Sequence, residues 1–469
     1  MSAHKLTDSR IVLRSMSMRG LSTTLTVLSV GIAVALMLIL LGSREAGRRA
    51  FERGSGNMHM LVSGDSSPLT GILNNVYYAN APRSAFVLSR FDGFWRQQRL
   101  PVAWRVPSAL GDSYRGLRVL ATEPNFFTDF EPNPGEPWEI SEGRFLDPEG
   151  ADPFEVVLGS EAARLTGLGI GDRIFLTHGP GSGKLEAAPA LTPDSIGDQT
   201  DQADHDDDYD PTAPVEPGGV GHVHDDFVYT VVGIARPTAS MHDRVLFSTL
   251  TASWISHGTD ARRAQMGPDA PVMTEEELVE QQKVVTGVLV RIATREGRDA
   301  SPAIQMAFNR FRGNPQWTVA QPASEISRLL SIIGSVEGVL LAMAVVVFLS
   351  SGLGILLALY NSMEQRRRQV AVLRVLGASR GRVFRLVLIE SAVIGLLGSL
   401  LGLVVAVGLD GAVTGVFRER YGLYLAIDVV GSGAALVCVG AVVLAIAAGM
   451  LPAAVAYRSS VARGLRPLG

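Results

Sequence analysis

Residues 25–41 read LTVLSVGIAVALMLILL, a run without a single charged side chain. A lipid hydrocarbon core of about 30 Å takes roughly 20 apolar residues in a helix, and the stretch from Leu21 to Leu41 meets that length. Three later stretches do the same: Leu329–Tyr360, Val383–Leu409 and Val429–Ala456. All four are rich in Gly, Ala and Ser, which let helices approach closely in lipid. Their length and lack of charge argue against core helices of a soluble protein. The expected fold class is membrane α-helical, with four transmembrane helices and a large α+β extracytoplasmic domain inserted between helices 1 and 2.

Basic residues set the expected orientation. Lys5, Arg10, Arg14 and Arg19 precede the first helix. Arg366, Arg367, Arg368, Arg374, Arg380, Arg382 and Arg385 lie between the second and third, and Arg458, Arg463 and Arg466 follow the fourth. All three segments read as cytoplasmic. The expected organisation is a cytoplasmic N-terminus (1–20), helix 1 (21–42), an extracytoplasmic domain (43–327) and a permease-like region (328–469). That last region divides into helix 2 (329–360), a cytoplasmic loop (361–382), helix 3 (383–409), helix 4 (429–456) and a cytoplasmic tail (457–469). Helix 1 reads as an uncleaved anchor, because Leu41-Gly42-Ser43-Arg44-Glu45 offers no small-x-small cleavage site.

Bulk composition agrees with a polar domain joined to a few apolar helices. Of 469 residues, 47% are hydrophobic and 19% charged. The net charge of −4 gives no support for a nucleic-acid partner. The single cysteine, Cys438, excludes an intramolecular disulfide framework and any cysteine-based zinc site.

Within 43–327, β-branched runs at Phe154–Leu158, Arg173–Thr177, Phe227–Ile234 and Val284–Ile292 predict strands. Ser160–Leu165 and Ala303–Phe311 predict short helices. No nucleophile–base motif is present. From about 180 to 226 the chain turns acidic and rich in Pro, Gly and His, and reads as a surface insertion. One reading is a solvated acidic loop. A sharper one is a zinc site, since imidazoles and carboxylates are the ligands zinc accepts when thiols are absent. His222 and His224 would share a face of an extended segment, with His205, His178, Asp206 and Asp225 as further candidates. Gly179-Pro180-Gly181-Ser182-Gly183-Lys184 fails as a phosphate-binding loop, with His178 at the first glycine position and Leu185 after the lysine.

The most informative stretch is Tyr360-Asn361-Ser362-Met363-Glu364-Gln365-Arg366-Arg367-Arg368-Gln369-Val370-Ala371-Val372-Leu373-Arg374-Val375-Leu376-Gly377-Ala378-Ser379. Val370, Val372, Leu373 and Leu376 give a short amphipathic segment its apolar side, and Gly377 would end it as a C-cap. A rigid, charged element of this kind suits either a grip for a soluble motor or an anchor on anionic lipid. With Glu390-Ser391 and Gly395, Gly398 and Gly402, this pattern resembles the coupling region of the MacB–FtsX superfamily of ABC permeases. Arg14–Leu25, Gly143-Arg144-Phe145, Val156-Val157-Leu158-Gly159, Val231-Val232-Gly233-Ile234 and Pro452-Ala453-Ala454 with Leu465-Arg466 extend the likeness. Ser67-Pro68-Leu69 to Val76-Tyr77-Tyr78 resembles a subgroup of uncharacterised permeases. The His/Asp-rich insertion departs from the usual core domain.

The resemblance implies a non-catalytic permease subunit in a bacterial inner membrane, with both termini cytoplasmic and the large domain periplasmic. It implies a cytoplasmic ABC ATPase dimer that binds ATP and Mg, and a second permease copy or a paralogue. ATPase coupling would fall to Met363, Glu364, Arg366, Arg367, Arg368, Arg374 and Gly377. Glu337 and Glu390 are the intramembrane carboxylates, each expected to face protein or an interface. Apart from zinc, no cofactor is expected in this chain; membrane lipid and a periplasmic or lipoprotein partner complete the expected contacts. The substrate would be a lipoprotein, hydrophobic compound or peptide. Two alternatives stand beside this: a permease serving zinc homeostasis through its His/Asp-rich loop, and a signalling scaffold activating an envelope hydrolase.

Overall fold

The computed structural model describes residues 12, 16–147, 152–179, 223–294, 301–365, 374–375, 378–421 and 429–458. They form two compact units: a helical one within Met1–Arg48, Ile332–Arg420 and Leu425–Gly469, and an α+β one within Arg49–Ser331 with Tyr421–Tyr424. In chain order the helices are α1 (Gly20–Gly54), α2 (Pro68–Asn75), α3 (Leu88–Gln98), α4 (Ser160–Thr166), α5 (Leu250–Met266), α6 (Pro302–Arg312), α7 (Pro322–Gln365), α8 (Arg380–Tyr421) and α9 (Ser432–Arg458).

Helices α1, α7, α8 and α9 are long and apolar enough to cross a membrane. Each of the first three runs beyond its apolar stretch. For α1 the reason is visible in SREAGRRAFERG, residues 43–54: Arg, Glu and Ala sustain a helix, and Arg48 bonds Glu45 one turn back at 2.9 Å. At 35 residues α1 is about 52 Å long at about 1.5 Å per residue, well past a hydrocarbon core of about 30 Å. Small residues bring the helices together. A methyl group at Gly398 of α8 would lie 2.6 Å from Val30 Cβ of α1, and one at Gly402 would lie 2.7 Å from Val34 Cβ. On another side of α8, a methyl at Gly395 would lie 2.7 Å from Ala445 Cβ of α9. Only glycine permits these approaches.

The strands of the α+β unit are β1 (Met60–Ser63), β2 (Phe86–Val87), β3 (Val102–Tyr114), β4 (Leu117–Thr122), β5 (Ile140–Gly143), β6 (Glu155–Leu158), β7 (Arg173–Ile174), β8 (Thr177–His178), β9 (Tyr229–Ala235), β10 (Leu246–Thr249), β11 (Val284–Val285), β12 (Gly287–Ile292) and β13 (Thr318–Ala320). The main sheet runs β13-β1-β12-β3-β4-β10-β6-β9-β5, with β8 added to β3 and β7 to β9. Two neighbouring pairs are parallel, β4 with β10 and β6 with β9; the others are antiparallel.

Period-2 alternation along these strands builds a core on each face. Leu61, Leu120, Val157, Phe247 and Leu289 enter one cluster, with Phe126, Phe130 and Trp138. Their neighbours point the other way. Met60, Val62, Val288 and Val290 pack with Phe91, Phe311 and Trp317 beneath α3 and α6. Val119, Val156, Leu158, Leu246 and Tyr229 pack with Ile255 of α5. The strand and helix expectations at 154–158, 160–165, 227–234, 284–292 and 303–311 fall on β6, α4, β9, β11–β12 and α6.

Candidate metal centre

Four side chains from four places in the sheet unit converge. Asp112 lies on β3, where simple alternation would set it on the same face as Leu110. Leu110 packs in the first core and Tyr114 against the α5 side, so the strand changes face between them. The register shift between Leu110 and Ser113 is the cause: a bulge inserts a residue and re-aims the side chains beyond it. Asp112 is thereby delivered to α5, at 5% exposure.

His178 ends β8, which pairs with β3 so that His178 stands opposite Asp112. Gly179 N–H donates to Gly111 C=O at 2.9 Å and Ser113 Oγ donates to Gly179 C=O at 2.7 Å, fixing that strand end. His224 is placed by its backbone N–H, which donates to Leu176 C=O at 2.9 Å, beside a bridge between Thr177 and Val223. His257 comes from the middle of α5, whose N-cap Thr249 accepts from Ala252 N–H at 3.1 Å.

The donor atoms are close to one another. His178 Nδ1 is 3.2 Å from Asp112 Oδ1 and 3.1 Å from His257 Nε2. His257 Nε2 is 3.1 Å, and His224 Nε2 3.5 Å, from the same Asp112 oxygen. Around zinc, bonds of about 2.0–2.1 Å give a tetrahedron with edges of about 3.3 Å. Four of the six edges among these donors, at 3.1–3.5 Å, bracket that length, and all the donor atoms lie within 4.8 Å of one another. A further carboxylate stands behind: Asp260, one turn along α5 from His257, lies 3.2 Å from His224 Nδ1. A proton held on Nδ1 by Asp260 would leave Nε2 to face an ion once that ion displaced the Nε2 proton, as a ligand histidine requires.

Electrostatics favour positive charge here. Burial alone would raise the Asp112 carboxyl, yet the charge of His257 and hydrogen bonds from His178, His224 and His257 hold it well below the usual carboxylate range. Burial would likewise lower His224, yet Asp112 and Asp260 push it up to about 10. Three imidazoles and a carboxylate, without thiol, form a donor set suited to zinc and its neighbours among divalent transition metals.

Of the metal candidates read from sequence, His178 and His224 are in this cluster. Asp225 is exposed and is not among the four convergent groups. His205, Asp206 and His222 lie outside the described residues. Asp112 and His257 are not evident as ligands from the sequence; the sole local sign is a histidine and an aspartate three apart on one helix, His257 and Asp260.

In the helical unit, Met363 and Glu364 lie in the last turn of α7 and Arg374 is in helical conformation, while Arg366, Arg367, Arg368 and Gly377 fall outside the described residues. Glu390 of α8 is buried and pairs with Arg19 at 2.9 Å. Glu337 of α7 pairs with Arg44 of α1 at 3.7 Å.

Comparison with known families matches residues 23–305 to the MacB-like periplasmic core domain and residues 341–461 to the FtsX-like permease C-terminal domain. Similar curated proteins include the uncharacterized ABC transporter permease MJ1507 of Methanocaldococcus jannaschii, 24% identical over 121 residues, or 25% of this chain and 30% of that protein. Another is the uncharacterized ABC transporter permease YknZ of Bacillus subtilis, 34% identical over 84 residues, or 18% of this chain and 19% of that protein. The chain thus spans less than a third of the length of either relative.

Proposed function

From the premise that this chain belongs to the family of ABC transporter permeases with a MacB-like periplasmic core and an FtsX-like C-terminal domain, we propose that it converts ATP hydrolysis on a separate cytoplasmic ATPase into movement of the α+β unit. The family implies the ATPase partner; the coupling residues and the cargo are the proposal. One observation carries it: the core domain is inserted between the first apolar helix and the other three, so two of its chain connections run directly into α1 and α7. An α+β unit threaded in this way moves when those helices move. The permease acts as a dimer, with a second copy or a paralogue, on an envelope substrate such as a lipoprotein, a hydrophobic compound or a peptide.

Glu364, Arg366, Arg367, Arg368 and Arg374 form the grip for the ATPase in this reading. Replacing Arg366, Arg367 and Arg368 with Ala is expected to abolish stimulated ATPase activity and co-purification of the motor, with membrane insertion intact. Unchanged values for both would overturn the assignment. The Lys versions separate charge from bidentate geometry, since Lys keeps the first and loses the second.

A second reading, a permease linked to metal homeostasis, is favoured by the convergence of His178, His224, His257 and Asp112. Whole-cell zinc content in a deletion strain tests it, with no change as the adverse result.

A further inference from the structure

We infer that Asp112, His178, His224 and His257 hold one divalent transition-metal ion of the zinc class in a four-coordinate site, and that this ion fastens residues 177–179 and 223–224 to β3 and to α5. The inference rests on the α+β unit alone and does not depend on the permease reading.

The ligand geometry is the first support, with four inter-donor distances of 3.1–3.5 Å. The second is the shell behind it. Asp260 holds His224 Nδ1 at 3.2 Å and Ser253 Oγ lies 3.4 Å from His257 Nδ1, so two ligand imidazoles have their far nitrogens engaged. The third is burial with an access route. The Asp112 and His224 side chains are 6% and 0% exposed, whereas those of His178 and His257 are 34% and 33% exposed. An ion therefore arrives from solvent past His178 and His257 and meets the buried carboxylate last.

Chain order gives the site its consequence. His178 stands two residues before the segment 180–222 and His224 two residues after it. The other two ligands belong to the scaffold, one on the longest strand and one on α5. An ion on all four closes the chain across 178–224 and ties that closure to elements distant in sequence. With four protein ligands the shell is complete, as in sites that hold structure rather than turn over a bound water. Metal occupancy would then be felt as order at the two strand ends, and binding would contribute folding stability directly.

The test uses the full-length protein in detergent, stripped with a chelator and titrated with zinc chloride. One ion per chain is expected. Cobalt(II) in its place should give the intense visible absorption of a tetrahedral site. His257→Ala and Asp112→Asn should each weaken binding by at least about 100-fold, and Asp260→Asn, which keeps every ligand, by about 10-fold. The double variant His205→Ala/His222→Ala should keep the tight site. Zinc should slow amide exchange about tenfold at residues 174–179 and 223–227 in the wild type and not in His257→Ala. Circular dichroism and gel filtration verify folding, and the cobalt spectrum of Asp260→Asn reports on the site even where a ligand variant misfolds. Failure to retain zinc, equal affinity in wild type and His257→Ala, or an octahedral cobalt spectrum overturns the site. Tight binding without slowed exchange overturns the fastening. Co-purification of the ATPase with stripped protein is scored separately, so loss of this inference leaves the permease reading standing and the reverse.

Discussion

His224 and His242 are both buried in the α+β unit, at 2% and 1% exposure, and burial pushes both imidazoles against the proton. Their neighbours decide the outcome. His224 faces Asp112 and Asp260 and is pushed up to about 10. His242 has aromatic rings instead, Phe126, Phe130, Tyr78 and Trp138 with centroids within 6.1 Å, and its ring is pushed down to about 4. Its polar needs are met without charge: Nε2–H donates to Gly54 C=O at 3.2 Å and Nδ1 accepts from Tyr78 O–H at 2.7 Å. A carbonyl can only accept, which fixes the neutral tautomer. One pocket favours the charged imidazole and the other excludes it, so a buried histidine alone says nothing about metal.

The strongest challenge to this rule lies in the helical unit, where Glu390 is paired with a guanidinium that never loses its charge. Glu390→Ala removes the buried carboxylate that the partly buried Arg19 guanidinium meets and should cost about 3–5 kcal/mol, whereas the double change Arg19→Ala/Glu390→Ala should cost less. Thermal unfolding in detergent reads both, and equal losses would show that the pair is not coupled.

A next-largest effect belongs to His242. Its unfolded pKa is near 6.5 and its folded pKa about 4, so between those values the unfolded chain takes up a proton that the folded one refuses. Stability should be intact above pH 6.5 and fall as pH drops towards 4, by up to about 1.4 kcal/mol per pH unit and about 3 kcal/mol in all. His242→Gln should flatten that slope relative to wild type in unfolding measured from pH 7.5 to 4. An unchanged slope would mean that the ring is protonated in the fold. The smallest effect is that of Tyr78→Phe, which strands the buried Nδ1 acceptor and should cost about 1–2 kcal/mol at neutral pH. It should also leave zinc affinity unchanged, because Tyr78 belongs to the other pocket.

Legibility from sequence obeys the same division between local and distant causes. The four long helices are legible because an uncharged run such as LTVLSVGIAVALMLILL has one physical solution in lipid. The continuous run Val156-Val157-Leu158 is legible as a strand buried on both faces. The α+β architecture and the family likeness can likewise be seen in advance. The candidate metal cluster is half visible. His178 and His224 flank an obviously His-rich segment, which draws attention to His205 and His222 inside it. Asp112 and His257 give no such cue, since the bulge that turns Asp112 towards α5 depends on pairing with β4 and β8. The extension of α1 to Gly54 escapes a hydropathy reading because the apolar run ends at Leu41 while helix propensity does not.

Three of the glycines of α8 face two different neighbours: Gly398 and Gly402 lie against α1, and Gly395 lies against α9. A turn of α8 about its own axis by a single residue position would drive a bulkier side chain, Leu397 or Leu401 among them, into a gap sized for hydrogen. The same rotation would spoil the fit on the α9 side. The azimuth of this helix is therefore keyed from both flanks, as a shaft is keyed in its hub: α8 must carry its neighbours round with it or not rotate at all.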